Sequence, residues 1–376
     1  MKPIAWGVLL LPIVLAGCNG GGGSDGSTAT SGNNSGSSGS TGGRSSGSGA
    51  CPVEQREAEL TSALAAAPSE VDFSLSLQRS DGRRYTYNRG AATPDTRYES
   101  ASTSKLVSAV IILRLVEQGY LKLSDRPQDW IPSWPISVSD PLYNMTLAQL
   151  LSFTSGLTSE PLCQNSGSFN FASCVYNIGN NNAGNGIVPG SQFYYASTHL
   201  QVAGLMAMRA RGVNNWSDLF SEFQQQTGLF PTAAYDLPSG SNPRLAGGMH
   251  WSGNEYLAFL NALQAGSLLN TASMQEFLKD RSAAGVTIAY SPARESINED
   301  WHYGFGFWHE CQSSSFNCTS ATRISSPGAY GAYPFWDRSQ GFIGILARQG
   351  GLQTYKYGVN TYRAAQKQID AWAACR

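Results

Sequence analysis

Residues 71–79 alternate between apolar and polar, with Val71, Phe73, Leu75 and Leu77 on one face, which predicts a strand. The Asp81-Gly82 turn and the run Arg84 to Asn88 complete a hairpin. Before it, residues 53–67 read as a helix ended by Pro68. After it, a helix begins near Ser102, runs to about Gln118 and stops at Gly119. Its stretch from Leu106 to Val116 is apolar nearly all round, so this helix is predicted to be buried. Between residues 124 and 245 Pro, Gly, Asn and aromatic residues dominate, with helical pieces near 146–153, 197–211 and 214–227. Helices near 254–264 and 271–279 follow, then short strands at 303–308, 321–326 and 341–348. An amphipathic helix over 360–373 carries Tyr362, Ala365, Ile369 and Trp372 on one side. No internal repeat interrupts this order. It predicts an α/β (α+β) fold, an antiparallel sheet flanked by helices with a mostly helical inserted subdomain at about 124–245.

The first fifty residues have a different character. Lys2, an apolar stretch from Ile4 to Leu15 and small residues after it make a secretory signal, too short for a comfortable membrane span. Leu15-Ala16-Gly17-Cys18 resembles a bacterial lipoprotein cleavage box. That resemblance implies removal of residues 1–17 and lipidation of Cys18, so that the exported protein is anchored to a membrane and faces the periplasm or cell exterior. Residues 19–50, almost all Gly, Ser, Asn and Thr, cannot bury a core. With Cys18 they make a linker over 18–50 that spans about 30 Å as a flexible coil. Gly22-Gly23-Ser24-Asp25-Gly26 and Gly43-Arg44-Ser45-Ser46-Gly47 match the Gly-x-Ser-x-Gly elbow but lack its strand and helix, so neither is a nucleophile. Residues 51–376 form the expected domain.

The net charge is −1 and charged residues make up 14 % of the chain, without a basic stripe, which argues against nucleic acid as a partner. Of seven cysteines, six remain after Cys18, and six permit fifteen pairings. Proximity in sequence suggests Cys163–Cys174 and Cys311–Cys318, each closing a Ser/Asn-rich loop. Cys51–Cys375 would then join the ends of the domain and set its first and last helices side by side. There is no Cys-x-x-Cys and no paired histidine spacing, so neither a metal nor another cofactor is expected.

The candidate chemistry starts at Ser102-Thr103-Ser104-Lys105. Residues i and i+3 share a helix face, so Lys105 can reach the Ser102 hydroxyl. A lysine in the first turn of a buried helix is costly unless it is used or paired. Such a lysine activates a serine nucleophile without histidine. By itself the spacing is also that of a serine N-cap followed by a snorkelling lysine.

The surrounding segments decide between these readings by resemblance. Tyr98-Glu99-Ser100-Ala101-Ser102-Thr103-Ser104-Lys105-Leu106-Val107 resembles the active-site helix of the penicillin-recognising serine hydrolases, which include class C β-lactamases, DD-peptidases and family VIII esterases. Glu117 to Asp125 looks like that family's helix exit. Met145 to Leu157 is similar to a further family segment, with Phe153 where histidine is usual. Pro189-Gly190-Ser191-Gln192-Phe193-Tyr194-Tyr195-Ala196-Ser197, then Ala246-Gly247-Gly248-Met249 and Tyr303-Gly304-Phe305-Gly306-Phe307, follow in the family's order, and together they span about residues 70–350.

The resemblance implies that Ser102 is acylated, Lys105 is its hydrogen-bonded partner and Tyr195 relays protons to and from Ser102 and the leaving group. Ser197 takes the place of the usual asparagine, within reach of Lys105 or substrate. Ser326-Pro327-Gly328 takes the place of the Lys/His-Thr/Ser-Gly strand, with Gly328 admitting substrate and the amides of Ser102 and Ala329 forming an oxyanion hole. Tyr330, Tyr333, Phe335 and Trp336 are expected either at the mouth of the site or in ordinary core packing. Serine at 326 removes the cation that holds a substrate carboxylate, and Arg323 lies on the opposite strand face. Both departures favour neutral ester or amide substrates. His199, His250, His302 and His309 pair with no serine elbow and are expected to be structural. The leading function is a carboxylesterase. A β-lactamase, D-amino-acid peptidase or linear amidase with the same machinery is the alternative, and a catalytically silent binding protein of this fold is a third reading.

Overall fold

The computed structural model describes residues 51–283, 285–318 and 323–376. The signal segment, Cys18, the tether and the first two residues of the strand expected at 321–326 lie outside them. Among the described residues the first strands are β1 (Phe73–Arg79), β2 (Arg84–Arg89), β3 (Arg97–Glu99), β4 (Gln192–Tyr194), β5 (Ala234–Tyr235) and β6 (Met249–Ser252). They continue with β7 (Thr287–Tyr290), β8 (His302–Tyr303), β9 (Trp308–His309), β10 (Arg323–Ser325), β11 (Tyr333–Asp337) and β12 (Phe342–Ala347). Seven of them make one sheet in the order β2-β1-β12-β11-β10-β9-β8, antiparallel at each pairing. Helices cover both of its faces, and the fold is the expected α/β arrangement with a helical subdomain.

The alternation in β1 suggests one buried face, yet all seven of its residues are buried. The helix Gly253–Gln264 lies over the face that carries Ser74, Ser76 and Gln78, and Gln78 Nε2 donates to Asn261 Oδ1 of that helix at 2.6 Å. The tail is two helices, Tyr355–Ala364 and Gln366–Ala374, broken at Ala365. Tyr362, Ala365, Ile369 and Trp372 are nevertheless all fully buried, as their common face predicts. Burial of each of the three large side chains stabilises the fold by about 1.5–3 kcal/mol. The last helix packs on Val53–Ala66, and Cys51 bridges to Cys375 with Cα atoms 5.3 Å apart. Cys163–Cys174 and Cys311–Cys318 are bridged as well, at 5.4 and 5.8 Å.

The strand expected over 303–308 is a tight hairpin of β8 and β9 around Gly304–Phe307. Gly306 sits at φ +76°, and a Cβ there would lie 2.6 Å from the Lys105 carbonyl oxygen. The glycine therefore lets the hairpin close against the first turn of the Ser104–Glu117 helix. That helix, with eleven of its fourteen residues buried, lies against the Thr198–Arg211 helix of the subdomain.

Candidate active site

The Ser-rich run before Lys105 is a set of buried straps. Ser100 N–H donates to the Met249 carbonyl at 2.8 Å, and Met249 N–H donates to Ser104 Oγ at 3.2 Å. Trp251 Nε1 donates to Thr103 Oγ1, and the Tyr256 hydroxyl to the Thr103 carbonyl, each at 2.8 Å. These bonds tie the start of the helix to β6 and the Gly253–Gln264 helix. Inside this frame Ala101 is held at φ +44°, in the left-handed region that alanine occupies at a cost of about 1–2 kcal/mol. The kink presents Ser102 at the wall of a cavity, before the buried helix begins.

Lys105 Nζ donates to Ser102 Oγ at 2.8 Å and to the Ala246 carbonyl at 2.8 Å. Burial pushes the Lys105 pKa down to about 7. The Glu160 carboxylate opposes that shift and the Arg244 guanidinium adds to it. Nζ also lies 4.7 Å from the centre of the Tyr195 ring. Tyr195 stacks on Trp308 at 5.1 Å and meets Tyr303 edge-on at 6.0 Å. Burial raises the Tyr195 phenol well above its ordinary range, and its interaction with Ser102 offsets only part of that rise. The phenol thus keeps its proton at neutral pH.

Ser102 stands between two hollows. The larger, about 460 Å³, holds Tyr195, Glu160, Tyr290, Trp301, Trp308 and Tyr355. The smaller, about 270 Å³, holds Arg244, Glu99, Tyr330, Leu352 and the Ala246–Gly248 backbone. Ser102, Lys105, Ser197 and Ala329 line both. Among the described residues the amides of Ser102 and Ala329 have no protein acceptor, so both are available to a substrate oxygen.

A family model described as beta-lactamase matches residues 77–356, most of the chain and all of this geometry. The chain belongs to the beta-lactamase family. Its likeness to solved members is to their fold: EstCE1, a hydrolase with promiscuous acyltransferase activity, superimposes with a TM-score of 0.66 at 17 % identity, covering 83 % of this chain and 98 % of that one. A beta-lactamase from Mycobacterium bovis gives 0.62 at 15 % identity, covering 84 % and 99 %. Penicillin-binding protein 4 of Amycolatopsis lactamdurans is 31 % identical over 70 residues, which is 19 % of this chain and 18 % of that protein's length. The chain thus matches less than a fifth of that curated relative.

Within this family frame, several expected positions prove to be structural. Ser326 does not line either hollow: its hydroxyl donates to the carbonyls of Ser102, at 3.0 Å, and Gly306, at 3.3 Å. It fastens the end of β10 to the helix start and leaves no donor for substrate. Gly328 serves the same junction. A Cβ there would lie 2.5 Å from the Ser100 carbonyl oxygen and 3.1 Å from Thr103 Cγ2, so the glycine admits the protein's own backbone and not a substrate. Trp336 lies in β11, between Ile324 and Ile343, away from both hollows. Tyr333 and Phe335 are buried in the same strand, and of the four aromatic residues only Tyr330 reaches the site. Ser197 is present, but Lys105 bonds Ser102 and Ala246 instead, and the Ser197 amide donates to the Glu160 carboxylate.

Arg323 is buried against Asp337 at 2.9 Å, which settles its absence from the site. His199 is likewise structural. Its ring bonds Ser155 Oγ and the Tyr194 carbonyl, stacks on Phe153 at 4.8 Å, and has its pKa pushed down to about 3 by burial. Glu160 and Arg244 were not legible as site residues. Both come from loops of the insertion, and the only local signal was that Arg244 directly precedes the Leu245-Ala246-Gly247-Gly248-Met249 stretch.

Proposed function

We propose that this member of the family is a carboxylesterase that works through an acyl-enzyme on Ser102. The carrying observation is Lys105 Nζ at 2.8 Å from Ser102 Oγ, with a pKa lowered to about 7. Neutral Lys105 takes the hydroxyl proton as Ser102 Oγ attacks the ester carbonyl. The Ser102 and Ala329 amides hold the oxyanion, and removing one such donor costs about 10²–10³ in rate. Tyr195, kept protonated by burial, gives its proton to the leaving alkoxide and regains one from Lys105. Water then attacks the acyl-enzyme with the same groups in reverse.

The aromatic lining of the larger hollow supports an apolar alcohol there. The expectation of a wholly neutral substrate rested on the loss of a cation at Ser326 and on Ser197 in place of asparagine, and Arg244 now supplies a cation elsewhere. The same machinery supports cleavage of β-lactams, linear amides or D-amino-acid peptides as a second reading, favoured by the likeness to beta-lactamases and by that cation. The cell context in this proposal is an exported protein held to a membrane through lipid on Cys18, in keeping with three bridges that suit an oxidising compartment.

The test is a parallel assay of short-chain esters, D-amino-acid peptides, linear amides and a chromogenic cephalosporin on the 51–376 domain. Ester turnover lost in Ser102→Ala is the expected result. Full activity of that variant refutes the nucleophile, efficient cephalosporin cleavage moves the assignment to the second reading, and failure of a fluorophosphonate to label Ser102 leaves a binding protein.

A further inference from the structure

Arg244 is the cation of the smaller hollow, and among the described residues no carboxylate contacts it; the Glu160 carboxylate acts on it only through space. Its backbone is locked: its amide donates to the Leu237 carbonyl at 2.8 Å, and its own carbonyl accepts from the Gly247 and Gly248 amides at 3.0 and 2.6 Å. Gly248 cannot be replaced there, because a Cβ would lie 2.1 Å from the Leu237 oxygen. The side chain has one weak bond, Nε to the Gln164 carbonyl at 3.4 Å, and among the described residues no carboxylate pairs with it. A half-buried guanidinium without a carboxylate in contact is a costly arrangement that a bound anion would relieve. Glu99 lines the same hollow, where its carboxylate helps to raise the Tyr330 pKa, and makes no ion pair with Arg244.

The two hollows are assigned by the proton donor. Tyr195, which protonates the leaving group in the reading above, lines only the larger one. The alcohol therefore leaves through the larger hollow and the acyl group occupies the smaller. We propose that Arg244 anchors a carboxylate on the acyl group, so that the substrate class is the half-ester of a dicarboxylic acid. This rests on the acyl-enzyme reading. Glu99, on the same wall, opposes any anion in that hollow, so Arg244 can hold one carboxylate against it but a second is disfavoured further.

The test compares kcat/KM for monobenzyl glutarate with that for benzyl pentanoate, following released benzyl alcohol. The wild type is expected to prefer the half-ester by about tenfold, the worth of one charge-assisted bond. Arg244→Gln is expected to bring the ratio to about one, and Arg244→Lys to an intermediate value, because lysine keeps the charge without the bidentate fork. An effect of Arg244 on Lys105 alters both esters alike and cancels in the ratio. A wild-type preference for the neutral ester, or a ratio that Arg244→Gln leaves intact, overturns the proposal. A second arm needs no turnover: pentanoate, but not pentanamide, is expected to slow fluorophosphonate labelling of Ser102, and to lose that advantage in Arg244→Gln. Equal protection by the two compounds in the wild type overturns the anion site. Labelling of Ser102 without hydrolysis of either ester overturns the esterase reading alone, and the protection arm then decides on Arg244.

Discussion

Lys105→Met is expected to abolish activity while making the protein more stable at neutral pH. Methionine keeps the buried stem and drops the cation. Burial takes the lysine pKa from 10.5 to about 7. Below pH 7 both the native and unfolded chains hold the proton, and the native state bears the full cost of burying it. Between pH 7 and 10.5 the unfolded chain keeps the proton and the native chain does not, so native stability rises with pH; above 10.5 the cost is gone. At about 1.4 kcal/mol per unit, the cost at pH 7 is about 4 kcal/mol. Loss of the bonds to Ser102 and Ala246 returns about 1 kcal/mol each. The net expectation is a gain of about 2 kcal/mol at pH 7. Denaturant unfolding of both proteins at pH 6, 7, 8 and 9 measures it. Wild type should gain about 2 kcal/mol between pH 7 and 9 from this group alone, so the advantage of the variant should vanish over that range. A variant less stable than wild type at pH 7, with a difference that does not change with pH, would refute the idea that Lys105 is held desolvated.

The same pKa predicts that kcat/KM for a neutral ester falls about tenfold per pH unit below pH 7, as Lys105 takes up the proton it must accept from Ser102; a flat profile from pH 5 to 8 contradicts this. Tyr195→Phe should lower kcat by about 10²–10⁴ with Ser102 still labelled by a fluorophosphonate, and near-normal turnover removes Tyr195 from the mechanism. Gly328→Ala puts a methyl group 2.5 Å from the Ser100 oxygen. It should cost about 1–3 kcal/mol by thermal unfolding and lower kcat as the Ala329 amide shifts, whereas an unchanged melting temperature denies the close approach.

The sequence carried most where a chemical need is local. Ser102 and Lys105 are three residues apart on one helix, and burial of that helix follows from its composition, so their contact was predictable before any fold was known. The paired ends of the domain were legible too, because Cys51 and Cys375 are left once the two nearby pairs are closed, one before the first helix and one after the amphipathic last one. β11 was not legible: Gly331 and Pro334 interrupt any strand pattern among the clustered aromatic residues, and only pairing with β10 and β12 makes Tyr333–Asp337 a strand. The polar residues Ser74, Ser76 and Gln78 pointed to solvent for a related reason, since the helix that covers them begins at Gly253. Motif position also misled at Ser326 and Gly328. A glycine at a substrate strand has two physical uses, admitting a ligand or admitting a neighbouring backbone, and the sequence does not separate them. The atoms do: the nearest obstacle to a Gly328 side chain is Ser100. The charged lining of the two hollows was the least legible part, because Glu160 and Arg244 are 84 residues apart in irregular loops and come beside Ser102 only through the packing of the insertion. The proposed nucleophile and base thus lie in one short helical segment, and the charges proposed to select a substrate lie in irregular loops of the insertion. That division predicts that exchanges in the insertion's loops away from Lys105 alter substrate preference without altering the pH at which Lys105 becomes competent, whereas exchanges at Glu160 and Arg244, whose charges act on Lys105, or at Tyr195, whose ring helps to bury it, alter both.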